Sequence, residues 1–88
     1  ALSGVALMND QVWVISRTRT IAKAFDVKTG QETKFVMTGK KPVSIVAGDR
    51  LYILCAEDHR VDVVDPNAGT VLTTVPLPED SFPNSLIW

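Results

Sequence analysis

Cys55 and His59 are the first pair of residues whose types and spacing suit a reaction. Four positions apart across a hairpin turn, a thiol and an imidazole could meet as nucleophile and base. Such a dyad also needs a group that orients the base and donors for an oxyanion. The chain carries no G-x-S-x-G, H-E-x-x-H or C-x-x-C pattern and no Gly-rich phosphate loop. A free cysteine is commonly a small buried hydrophobe, and that is the expectation for Cys55. His59 stands beside Glu57, Asp58 and Asp62, a set that could hold a metal weakly or sense protons. The plainer reading is a solvated acidic turn. Asp10 and Asp49, with His59 and Cys55, are the donors available to a site shared with other parts of a larger enzyme. One His and one Cys cannot complete a four-ligand zinc site by themselves, and a lone cysteine makes no internal disulfide. No catalytic residue, cofactor or metal is assigned from these residues.

Two spacings recur. Asp26-x-x-x-Gly30 and Asp65-x-x-x-Gly69 suit an Asx turn, in which the carboxylate accepts a backbone N–H two residues on and glycine takes a positive φ. Calcium would need several oxygens, and each turn offers one carboxylate. Trp13, Tyr52 and Phe25 sit in apolar runs and are expected to pack between layers. A stacking platform for bases would need a basic groove beside it.

The elements that must position these groups are short. The 88 residues make one small domain or part of one, with 45% hydrophobic residues, the content of a folded chain. Nine Lys+Arg against ten Asp+Glu give a net charge of −1, which argues against a non-specific nucleic-acid binder. No apolar run approaches the roughly 18 residues of a membrane-spanning helix.

A shift of 39 residues carries Val12-Trp13-Val14-Ile15 onto Leu51-Tyr52-Ile53-Leu54, Asp10 onto Asp49, Asp26 onto Asp65 and Gly30 onto Gly69. Each copy reads as four runs rich in β-branched and aromatic residues, bounded by Gly, Asp, Asn and Pro. The runs are Val5–Met8, Val12–Ile15, Ile21–Phe25 and Glu32–Met37, then Val43–Ala47, Leu51–Cys55, Val61–Val64 and Thr70–Val75. No stretch sustains a 3.6-residue period, so helix is disfavoured. Pro83 to Trp88 repeats the type pattern of Pro42 to Val46 and reads as a ninth strand.

Four antiparallel strands per copy of about 40 residues match a propeller blade. Pro42-Val43-Ser44-Ile45-Val46, Leu51-Tyr52-Ile53, Val61-Asp62-Val63-Val64-Asp65 and Gly69-Thr70-Val71 together resemble the YVTN-type propeller repeat. Phe25-Asp26-Val27-Lys28-Thr29-Gly30-Gln31-Glu32 is similar to the strand-turn-strand segment of WD-repeat and quinoprotein-type blades. The expected fold is all-β: two four-stranded antiparallel blades over residues 1–40 and 41–82, and the first strand of a third at 83–88. Two blades cannot close a ring. The expectation is therefore a part of a larger propeller, or several copies that complete a ring.

The resemblance also implies that loops between second and third strands share a rim with the loops that join blades. On that rim stand Arg17, Arg19, Lys40 and Lys41 from the first copy. Glu57, Asp58, His59, Glu79 and Asp80 come from the second, with Phe82 as an apolar neighbour. Four cations beside four anions suit recognition of a protein with a complementary pattern. Arg17, Arg19, Lys40, Lys41, Glu57, Asp58, His59 and Phe82 are the candidate partner-binding residues. The leading function is a non-catalytic interaction scaffold that contacts protein partners through its rim and neighbouring blades through its sheets. The alternatives are part of a propeller hydrolase or oxidoreductase with a central-channel site, or a secreted YVTN-like surface or periplasmic binding protein. The unpaired cysteine leans toward a reducing, intracellular compartment, with an extracytoplasmic one left open.

Overall fold

The computed structural model describes residues 3–78. It is all-β, with eight strands: β1 (Gly4–Met8), β2 (Gln11–Ile15), β3 (Ile21–Asp26), β4 (Glu32–Met37), β5 (Pro42–Ala47), β6 (Leu51–Cys55), β7 (Arg60–Asp65) and β8 (Thr70–Pro76). They form two antiparallel four-stranded sheets in sequential order, β1 to β4 and β5 to β8. The meander follows from the short connections, since only hairpins join strands over so few residues. The expected strands sit where the sequence pattern placed them, with no end moved by more than one residue. The propeller-blade description fits this topology. Residues 83–88, read as a further strand, lie outside the described residues.

The turns explain themselves locally. Asn9 and Asp10 both have positive φ (54° and 60°), the pairing a two-residue type I′ hairpin needs. Asp26 Oδ1 accepts the N–H groups of Lys28 and Thr29, and Asp65 Oδ1 those of Asn67 and Ala68. Gly30 and Gly69 follow with φ of 74° and 69°. The Asx-turn reading thus describes both turns.

Registers reveal how the sheets correspond. Both carry a bulge at matching places, between Ala24 and Phe25 and between Val63 and Val64. The 39-residue correspondence holds through β2–β4 and β6–β8. It slips by one residue between β1 and β5, because the turn Gly48-Asp49-Arg50 is one residue longer than Asn9-Asp10. Trp13, Ile15, Ala22, Ala24 and Val36 of the first sheet pack against Ile45, Leu51, Ile53, Cys55 and Val64 of the second in one buried cluster. In the first sheet these are the partners of one pleat face, in the second the partners of the other.

The strands β1 and β5 approach most closely. A Cβ added at Gly4 would lie 3.2 Å from both Ile15 and Ile45. The stem of Lys34 lies over Gly69, again linking the sheets.

Of the three aromatics expected between layers, Trp13 alone is there, fully buried. Tyr52 and Phe25 are half-buried on faces pointing away from the shared core. Tyr52 matches Trp13 in the 39-residue correspondence. Each blade offers one face forward and one back, so matching positions in adjacent blades cannot meet.

Candidate functional site

Three loops meet on one rim: residues 16–20 between β2 and β3, 38–41 between the sheets, and 56–59 between β6 and β7. Backbone bonds hold the first two together, Thr38 N–H donating to Thr20 O at 2.9 Å. The second and third are clamped more tightly. Gly39 N–H donates to Asp62 Oδ2 at 2.9 Å, Lys40 N–H to Asp58 Oδ2 at 2.8 Å, and Ala56 N–H to Lys41 O at 2.9 Å.

Asp62 is fully buried. Its other oxygen accepts Arg60 Nε–H at 2.9 Å, and the Cys55 thiol approaches Oδ2 at 3.5 Å. A buried carboxylate is tolerated only when so occupied. The clamp leaves no room for a side chain at position 39, where a Cβ would fall 2.8 Å from Arg60 Nε and 3.0 Å from Asp58 Oδ2. Lys41 and His59 take positive φ (58° and 49°), a conformation disfavoured for residues with a Cβ. Each is tied by its carbonyl, Lys41 O to Ala56 N and His59 O to Leu77 N.

The candidate residues divide on this rim. Arg17, Arg19, Lys40 and Lys41 are exposed, and among the described residues their side chains make no hydrogen bond or ion pair. Glu57 is likewise exposed. Asp58 is exposed but serves the clamp through Lys40 N–H. His59 is not the solvated turn residue expected: it is half-buried, and its Nδ1 is enclosed without a hydrogen-bond partner among the described residues. Phe82, Glu79 and Asp80 lie outside the described residues. The clamp itself, Asp62 with Gly39 and Arg60, escaped the sequence reading. Its signal was an Asp in the middle of an apolar strand.

The reactive groups do not assemble. Cys55 is fully buried. Burial, reinforced by the Asp62 carboxylate, pushes its thiol pKa up to about 12, the opposite of an activated nucleophile. Asp49 accepts Tyr52 O–H at 2.6 Å, which holds its carboxyl below the usual range. Asp10 closes the β1–β2 turn on the opposite rim from His59. Among the described residues no three His, Cys, Asp or Glu side chains group as metal ligands.

A second surface is open. The face of the first sheet turned away from the core carries Val5, Leu7, Phe35 and Met37, which are 64%, 67%, 57% and 61% exposed. Val12, Val14, Ile21 and Phe25 lie half-buried among them. A hollow of about 300 Å³ sinks into this face between Val14, Ile21 and Phe25, with Arg19, Lys23 and Ser16 at its polar edge.

No family model matches the chain, and no curated protein does. Among solved structures it is similar to the hydrazine synthase of Kuenenia stuttgartiensis, with a TM-score of 0.84 at 19% identity. The alignment covers 96% of this chain and 25% of that one, so the chain spans about a quarter of the length of the structure it matches. At this identity the likeness concerns the fold alone, and it supports a β-propeller-like architecture. Among the described residues no helix is long and apolar enough to cross a membrane.

Proposed function

We propose that the chain is a non-catalytic propeller segment, two blades at residues 1–40 and 41–82, whose rim loops recognise protein partners. The observation that carries this reading is the clamped rim. Three loops are locked to one another by backbone and carboxylate bonds, while Arg17, Arg19, Lys40 and Lys41 project from them unengaged. Rigid loops that present charge lose little entropy on binding. The exposed apolar sheet face is the seat of a neighbouring blade, from the rest of a longer chain or from another copy. Apolar patches of this kind mark contact surfaces.

The test reverses Arg17, Arg19, Lys40 and Lys41 to Glu in the longest natural protein that contains this segment. The variant is expected to keep its β-sheet circular dichroism and lose the protein partners captured by the parent. Retention of every partner by the folded variant sinks the rim reading.

A further inference from the structure

We infer that the basic half of the rim, Arg17, Arg19, Lys40 and Lys41, is a docking surface for an acidic, extended segment of a protein partner. The inference rests on the rim reading above and names the chemistry that the rim would take.

The first ground is how charge is sorted between the two rims. Among the described residues, the loops at residues 16–20, 38–41 and 56–59 with the strand ends beside them hold Arg17, Arg19, Lys40, Lys41 and Arg60 against Glu57 and Asp58, a net of +3 in a chain whose total is −1. The opposite rim, counted the same way, holds Asp10, Asp26, Glu32, Asp49 and Asp65 against Lys28 and Arg50, a net of −3. Antiparallel meanders send alternate loops to alternate rims, so this sorting is a property of the fold and not of any single stretch of sequence.

The second ground is what the charges already do. On the acidic rim, Asp26 and Asp65 close Asx turns and Asp49 takes the Tyr52 hydroxyl. On the basic rim, Asp58 is drawn to the Lys40 backbone. Arg60 pairs with Asp62, and elsewhere Lys23 with Glu32 at 3.4 Å. The four other rim cations have no such task among the described residues. Their loops are nonetheless fixed by Arg19 N–H to Ser16 O, Thr38 N–H to Thr20 O and Lys40 N–H to Asp58. Unengaged cations on a fixed scaffold attract carboxylates, with arginine suited to forked contact.

The third ground is what these loops lack. Residues 16–20, 38–41 and 56–59 contain no Phe, Trp or Tyr, and their one ring, that of His59, is half-buried. Single-stranded nucleic acid binding without stacking groups or a wider basic field is weak. A carboxylate-rich peptide needs neither.

Fluorescence anisotropy tests this on the intact chain with a labelled peptide of alternating Glu and Gly. A Lys-Gly peptide and an oligothymidine of equal length serve as comparisons. The acidic peptide is expected to bind in preference to both and to weaken about tenfold between about 50 and about 300 mM salt, as screening of exposed charge requires. Arg17→Glu with Arg19→Glu, or Lys40→Glu with Lys41→Glu, should each weaken it about tenfold, and the milder Gln versions by less. Lys28→Glu with Arg50→Glu, on the other rim, should leave it unchanged.

Equal binding of all three probes overturns the inference, as does equal loss in the opposite-rim variant. Tighter binding of oligothymidine overturns it in favour of a nucleic-acid surface. If the acidic peptide fails while rim reversal still removes captured partners, the acidic partner class falls and the rim reading stands. If rim reversal removes no partner, the rim reading itself falls.

Discussion

The two sheets are built alike and live in different surroundings. Val12 and Val14 of the first sheet correspond to Leu51 and Ile53 of the second, and Phe25 to Val64. In the second sheet these positions are fully buried, because the first sheet covers them. In the first they lie half-buried beside exposed Val5 and Leu7. The same pleat face is thus a core in one copy and a surface in the other. Burial is a property of the neighbour: apolar residues at matching positions are covered in one sheet and open in the other. A second contrast is chemical. Asp62 corresponds to Lys23. Asp62 is buried and accepts the N–H of the incoming inter-sheet loop, while Lys23 sits at the edge of the open hollow and pairs with Glu32. A lysine cannot accept an N–H, so a blade seated on the first sheet, as proposed above, would join it through a different contact.

The sharpest way to break this comparison is at the clamp. Asp62→Ala leaves Gly39 N–H and the Arg60 guanidinium without their acceptor and is expected to destabilise by about 3 kcal/mol in urea unfolding. Lys23→Ala, the corresponding change in the first sheet, should stay within about 0.5 kcal/mol. Equal losses would show that the two positions are not differently used.

Truncation of corresponding apolar residues comes next. Ile53→Ala is expected to cost about 3 kcal/mol and Val14→Ala about 1 kcal/mol, since only the former opens a cavity in a closed core. A Val14 loss as large as that of Ile53 would mean that the open face is already filled in solution. Leu7→Lys should then lower the light-scattering mass of any self-associated species. It should leave the urea midpoint of a monomer little changed.

The turns give a smaller contrast. Gly30→Ala and Gly69→Ala both force a Cβ into positive φ, at about 1 kcal/mol each. Gly69→Ala should cost slightly more, because its Cβ meets the Lys34 stem at 3.3 Å while nothing lies within 4 Å of Gly30.

The smallest effect is a pH dependence. The N–H groups of Asn67 and Ala68 hold Asp65 below the ordinary 3.8, and the Tyr52 hydroxyl does the same to Asp49. A lowered carboxylate stabilises the fold above its unfolded value and loses that contribution as pH falls through the folded one. The urea midpoint should therefore be flat from neutrality to about pH 5 and fall below about pH 4. Asp65→Asn, which keeps the oxygen acceptor and removes the charge, should shallow that fall.

Alternating β-branched runs and the Asp-x-x-x-Gly turns are local signals. Period-two side chains and positive-φ demands act over a few residues, so the sequence by itself determined eight strands, their order and their turns. The clamped rim was half legible. Its loops and charges could be placed, yet nothing local tells that Asp58 is bound to a backbone N–H or that His59 is half-buried. Facing was decided by tertiary structure alone. The stacking of the two sheets and the path of the loop between them set which pleat face meets which. They bury Trp13 and leave Tyr52 and Phe25 on outward faces. They also bring Asp62 under a loop 23 residues earlier in the chain. A contact between segments so far apart depends on the summed geometry of every strand and turn between them, and no single window of sequence contains it.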